Sequence, residues 1–190
     1  MFLSLIGAGG TGKSEVFKKI KEKHPEWQYF TEGVRHQVPA FGYKNPYEIV
    51  NELGIAAFEL MNINSWSVID HKVNTTLNPE VNIIADRSAI DNYAYYLSHR
   101  VSEQDFDAET LIRNMAKYYA SLSDFFVYFP TGKIPLVGDN MRPESYLYQA
   151  QIDRKIKQAI KKLEVPESKI YHLKSVDLEE RVDEVLQFLS

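Results

Sequence analysis

The sequence predicts an α/β fold in which a five-stranded parallel sheet is flanked by helices. Apolar runs bounded by turn signals alternate with helical patterns along the chain, the signature of successive β-α-β units. The first run, Phe2-Leu3-Ser4-Leu5-Ile6, ends on a glycine-rich turn, Gly7 to Gly12, with a helical pattern directly behind it. The 190 residues, 44% of them hydrophobic, suffice to bury one core and are few for two, so one domain over 1–190 is expected.

Taken in order, strands are expected at 2–6, at 27–31 (Trp27-Gln28-Tyr29-Phe30-Thr31), at 81–85, at 125–129 (Phe125-Phe126-Val127-Tyr128-Phe129) and at 170–173. Helices are expected over about 13–23, 46–73, 89–100, 105–121, 143–163 and 177–189. Asn45 suits the cap of the second helix, with Pro46 in its first turn, and Asp177 that of the last, with Glu180 three residues on. The one long stretch without a pattern, 130–143, carries Gly132, Pro135, Gly138 and Asp139-Asn140. A structureless connection of that length in a compact domain is expected to be functional.

Composition excludes several classes of protein. A net charge of −4 argues against extended, non-specific nucleic-acid binding while leaving room for a local basic site. With no cysteine there are no disulfides, thiolate metal sites or cysteine nucleophiles, and the five histidines show no ligand spacing. No apolar stretch is long enough to cross a membrane, and Met1 leads straight into a core strand without room for a signal peptide; a soluble cytoplasmic protein is expected.

Gly7-Ala8-Gly9-Gly10-Thr11-Gly12-Lys13-Ser14 is a complete phosphate-binding loop, G-x-x-x-x-G-K-S, launched from a strand. Glycines let backbone N–H groups close round a phosphate, Lys13 brings a cation to the β and γ oxygens, and Ser14 offers a hydroxyl to Mg²⁺. The following helix points its positive end at the same anion. A nucleoside triphosphate with magnesium is the expected ligand, held by Gly9, Gly10, Thr11, Gly12, Lys13 and Ser14.

In open parallel sheets ligands sit beyond the carboxyl ends of the strands, which selects the next candidates. The second strand delivers Glu32-Gly33-Val34-Arg35, a carboxylate that could take a proton and a guanidinium that could orient an acceptor, or else a surface ion pair. The third delivers Asp86-Arg87-Ser88: Asp86 suits a Mg²⁺ partner and Arg87 the substrate or the transferring phosphoryl group, while capping of the next helix by Asp86 or Ser88 is the plainer reading. The fourth leads to Lys133, Asp139 and Arg142, either a lid over triphosphate or a solvated loop. Phe58, Asn62 and Trp66 share one helical stripe, which suits a planar ring beside an amide, although such a stripe is more often a core face.

With these residues assembled, the chain resembles the superfamily of P-loop nucleoside and nucleotide kinases. Within it the similarity is to the group containing the ribosylnicotinamide kinase domain of the bacterial NAD-biosynthesis regulator and many small phage proteins. The matching pieces are Gly7 to Ser14, the E-x-x-R of Glu32 and Arg35, Asp86-Arg87-Ser88, and Asp139-Asn140-Met141-Arg142 followed by Gln151-Ile152-Asp153-Arg154-Lys155-Ile156. The resemblance implies strand order 2-3-1-4-5 and a lid over about 130–143. It also implies an ATP- and Mg²⁺-dependent transfer of the γ-phosphoryl group to a nucleoside or nucleotide-like small molecule. Lys13, Glu32, Asp86, Arg87 and Arg142 would be catalytic, with Arg142 also on the nucleotide. Glu32, Arg35, Asn62, Trp66 and Arg87 would hold the acceptor, and Ser14 and Asp86 the metal. Two other readings stand beside it: a kinase of polynucleotide ends or hydroxymethylated bases in DNA, and a nucleotide-binding regulatory or ATPase module without an acceptor.

Overall fold

A computed structural model describes residues 1–31, 38–68, 70, 81–99, 106–136 and 145–189. Among them, β1 (Phe2–Ile6), β2 (Gln28–Thr31), β3 (Ile83–Asp86), β4 (Phe125–Tyr128) and β5 (Ile170–His172) form one parallel sheet in the order β2-β3-β1-β4-β5. Each strand lies within two residues of its expected bounds, and the order is the one the resemblance implies. The longer helices among the described residues are α1 (Lys13–Lys23), α2 (Pro46–Asn64), α3 (Ala89–His99), α4 (Phe106–Ser121), α5 (Tyr146–Lys162) and α6 (Leu178–Leu186).

Strand alternation sorts the core into two layers. Leu3, Leu5, Ile84 and Val127 face α1 and α6, where they bury Val16, Ile20, Val182 and Val185. Phe2, Ile6, Ile83, Ala85 and Phe126 face the other way, against Ile90, Tyr93 and Leu97 of α3, Ile112 and Ala116 of α4, and Ile152 and Ile156 of α5. Every residue of β1 is buried, as the middle strand of a doubly covered sheet requires.

The caps are where the sequence puts them. Asn45 accepts from the Glu48 N–H (3.2 Å), Glu48 accepts in return from the Lys44 N–H (2.8 Å), and Pro46 opens α2. Asp177 accepts from the Glu179 and Glu180 N–H groups at 2.9 and 3.2 Å. The expected helix over 46–73 is broken: Gly54 sits at φ 82° and ψ 158° inside α2, and the helix ends at Asn64, where the Ser65 hydroxyl donates to the Asn62 carbonyl (2.6 Å). Residues 71–73 lie outside the described set. The last helix is shorter than expected as well, ending at Leu186.

Glu184 of α6 locks the connection from β5. Its carboxylate accepts from the Tyr171 hydroxyl (2.6 Å) and from the N–H groups of Lys174 (2.8 Å) and Ser175 (2.9 Å). Burial pushes this carboxyl up, but the hydrogen bonds from Ser175, Tyr171 and the Lys174 backbone outweigh it and pull it down to about 2. A carboxyl depressed in the folded state stabilises the protein above its unfolded pKa of about 4.3, and the contribution is lost as pH falls toward the folded value. Glu184→Gln is expected to cost about 2 kcal/mol at neutral pH. In urea unfolding the gap from wild type should close as pH falls from about 5 toward 2; a gap independent of pH would refute this account.

Candidate active site

The turn between β1 and α1 is backbone held from outside. The Lys13 ammonium, 4% exposed, donates to the carbonyls of Gly7 (2.6 Å) and Ala8 (2.8 Å) and to the Thr11 hydroxyl (3.3 Å), which itself donates to the Ala8 carbonyl (2.9 Å). Three groups from other helices grip the same backbone. Asp91 of α3 accepts from the Gly7 N–H (3.1 Å), Gln149 of α5 donates to the Gly9 carbonyl (2.9 Å), and Arg181 of α6 donates to the Thr11 carbonyl (2.7 Å). Gly12, in the left-handed region at φ 80°, brings no side-chain cap to α1, so the first turn offers N–H groups that suit an anion. A Cβ at Gly12 would stand 2.5 Å from Arg181 Nη1 and 3.0 Å from Ile134 Cδ1, and one at Gly10 would stand 2.4 Å from Leu136 Cδ1. The side chains of Ile134 and Leu136 thus pack directly on the loop.

The register aligns the carboxyl ends of the central strands: Leu5 and Thr31 both pair with Asp86. Asp86 Oδ2 accepts the exposed Ser14 hydroxyl at 2.7 Å, whereas Oδ1 is buried without a hydrogen-bond partner. A hydroxyl and one carboxylate with an unspent oxygen fit a hard divalent cation that takes its other ligands from phosphate and water. Among the described residues no three acidic, histidine or cysteine side chains gather into a metal cage.

Asp86 does not cap α3; Ser88 does. Its hydroxyl accepts from the Ile90 N–H (3.1 Å) while Asp91 accepts from the Ser88 N–H (2.9 Å), a capping box whose second carboxylate oxygen reaches the phosphate loop. Burial pushes the Asp91 carboxyl up, against the pull of Lys13, Arg87 and the N–H groups of Gly7 and Ser88. Between them Arg87 takes φ 86°, a conformation that costs a non-glycine residue about 1–2 kcal/mol. Its N–H donates to the Leu5 carbonyl (2.9 Å) and its guanidinium lies 5.3 Å from the Tyr95 ring centre. The Tyr95 ring stacks on His99 (6.3 Å between centres), which shares a hydrogen bond with Tyr148 (3.3 Å), and burial pushes the Tyr148 hydroxyl up.

The structure therefore brings Lys13, Ser14, Asp86 and Arg87 to one edge. Glu32, Arg35, Asp139 and Arg142 lie outside the described residues; Lys133 is described and exposed. The stripe on α2 is buried: Phe58 packs on Val38 and Ile49, and Trp66, 4% exposed, joins the main core. Trp66 donates its ring N–H to Asn92 (3.0 Å), Asn92 and Asn62 both donate to Glu59 (3.4 Å each), and Asn62 Oδ1 is buried without a partner. Asp91, Gln149 and Arg181 were not singled out from the sequence. Ser88-x-x-Asp91 carries a capping signature that could have found the first; the others are helix residues whose reach only the fold reveals.

A phosphate loop at the end of β1, beneath a sheet ordered β2-β3-β1-β4-β5, defines the P-loop α/β class and the fold of the nucleoside and nucleotide kinases. The chain belongs to the AAA domain family AAA_28, whose model matches residues 2–181. No curated protein sequence matches it. Among solved structures it is similar to deoxyadenosine kinase from M. mycoides with bound dATP, at TM-score 0.70 and 17% identity over 100% of this chain and 99% of that one. It is also similar to NadR protein in complex with NAD and AMP-PNP, at TM-score 0.68 and 16% identity over 98% of this chain and 49% of that one. Thymidylate kinase from Candida albicans follows at TM-score 0.62 and 17% identity, over 99% and 90% of the two chains.

Removing Asp91 strands two backbone N–H groups in the interior. Asp91→Ala is expected to cost about 3 kcal/mol, from lost satisfaction of the Gly7 and Ser88 N–H groups together. Urea unfolding measures it, and a loss below about 1 kcal/mol would mean that the loop and the α3 cap do not depend on this carboxylate.

Proposed function

We propose that the chain is an ATP- and Mg²⁺-dependent kinase that moves the γ-phosphoryl group to a hydroxyl or phosphate oxygen of a nucleoside or nucleotide-like small molecule. The observation that carries this reading is the Ser14–Asp86 contact at 2.7 Å, which joins the phosphate loop to the β3 edge with Arg87 next in sequence.

In this reading the N–H groups of residues 9–14 and the Lys13 ammonium hold the polyphosphate. Ser14 and Asp86 hold Mg²⁺, which when bound neutralises charge on the phosphate oxygens. Glu32 takes the proton from the acceptor oxygen as that oxygen bonds to phosphorus and ADP leaves. Arg35 and Arg87 orient the acceptor, and Asn62, whose amide oxygen has no hydrogen-bond partner among the described residues, serves the acceptor side together with Trp66. Residues 130–143 form a lid of the single domain 1–190, with Arg142 reaching the γ-phosphate; the packing of Ile134 and Leu136 on the loop supports a lid seated there. Positioning and charge neutralisation carry nearly all the rate in such a reaction.

Lys13→Ala and Asp86→Asn are each expected to lower phosphoryl transfer by about a hundredfold or more while the far-ultraviolet spectrum is unchanged. Chelation of divalent ions should stop transfer in wild type. The acceptor is found by incubating labelled ATP with nucleosides, nucleoside monophosphates and short oligonucleotides. Transfer that survives Lys13→Ala, or ATP hydrolysis that no acceptor stimulates, would overturn the assignment.

A further inference from the structure

Arg181 is a buried charge that neither the expected site nor the core explains. It lies on α6, 170 residues from the loop it touches, with 2% of its surface exposed. One Nη donates to the Thr11 carbonyl at 2.7 Å, the other fills the space where Gly12 lacks a Cβ, and the guanidinium lies 5.0 Å from the Phe129 ring centre. Its Nε is buried without a hydrogen-bond partner among the described residues. A side chain serving only to fill this space would be apolar, since a buried unpaired donor destabilises.

We propose that Arg181 is a positioning residue of the nucleotide site: by pinning the Thr11 carbonyl to the α6 side of the loop it aims the Gly12 N–H at bound polyphosphate. A trans peptide puts its N–H opposite its carbonyl, so fixing one fixes the other. Donation to that carbonyl also polarises the same peptide and strengthens its N–H as a donor, and the guanidinium adds a fixed positive charge behind the loop. One turn on, Glu184 holds the backbone of Lys174 and Ser175, so α6 is anchored where it grips the loop. The inference rests on the proposed nucleotide binding.

Titration calorimetry with ADP and with adenosine separates the possibilities. Arg181→Leu, which fills similar space without donor or charge, is expected to weaken ADP binding about tenfold or more, the worth of one charge-assisted hydrogen bond, while adenosine binding stays within about twofold. Arg181→Lys, which keeps charge and a donor, should recover most of the loss. In the transfer assay the KM for ATP should rise with kcat little changed. Should Arg181→Leu not fold, Arg181→Gln takes its place beside Arg181→Lys, and the melting temperature without ligand is recorded for each. A folded Arg181→Leu or Arg181→Gln variant that binds ADP as wild type does overturns this proposal alone, as does an equal loss of ADP and adenosine binding. A wild-type protein that binds no ADP or ATP overturns the functional reading with it.

Discussion

The phosphate loop has to present N–H groups to an anion, and a peptide can do so only if its carbonyl is held on the far side. Here the holding groups come from four helices. Lys13 of α1 takes the carbonyls of Gly7 and Ala8, Gln149 of α5 takes that of Gly9, Arg181 of α6 takes that of Thr11, and Asp91 of α3 fixes the first N–H. These helices lie on both faces of the sheet, so the loop keeps its shape only when both layers are packed. Buried backbone groups demand partners, and a loop rich in glycine has no side chains of its own to supply them.

The same constraint accounts for the neighbouring strand. Asp91 reaches Gly7 because Ser88 and Asp91 form the cap of α3, and that cap begins two residues beyond the end of β3. The chain must therefore turn sharply at Arg87, which it does at positive φ with its N–H on the Leu5 carbonyl. The turn points Asp86 at Ser14 and puts the Arg87 guanidinium near Tyr95. Arg87, the strained residue itself, thus sets its guanidinium beside the Tyr95 ring directly after the carboxylate that accepts from Ser14.

Strand alternation, turn residues and caps were all legible in the chain, because they depend on local pattern: β1 to β5, Asn45-Pro46 and Asp177 sit where those patterns place them. The gathering of Lys13, Ser14, Asp86 and Arg87 at one edge was legible too, since the glycine-rich turn behind β1 and the end of β3 put them there. The break of α2 at Gly54 and Ser65 was less visible, since a glycine inside an apolar helical pattern reads as helix until the backbone is seen. The burial of Phe58, Asn62 and Trp66 was one of two readings of the same stripe, and periodicity alone does not tell a pocket from a core. Gln149 and Arg181 were invisible for a different reason: each is a polar residue on a helix, and its meaning comes from a loop more than a hundred residues away in sequence.

That division also bears on how chains only about one-sixth identical share this fold. The sheet needs apolar alternation of suitable volume, which many sequences satisfy. The loop needs its carbonyls engaged, which an amide, a guanidinium or an ammonium can each do from any helix that reaches it. Neither requirement involves the cluster beside Arg87, where Tyr95, His99 and Tyr148 meet. The shared fold thus rests on apolar alternation and on engaged loop carbonyls, and it leaves the side chains beside Arg87 free to differ between chains.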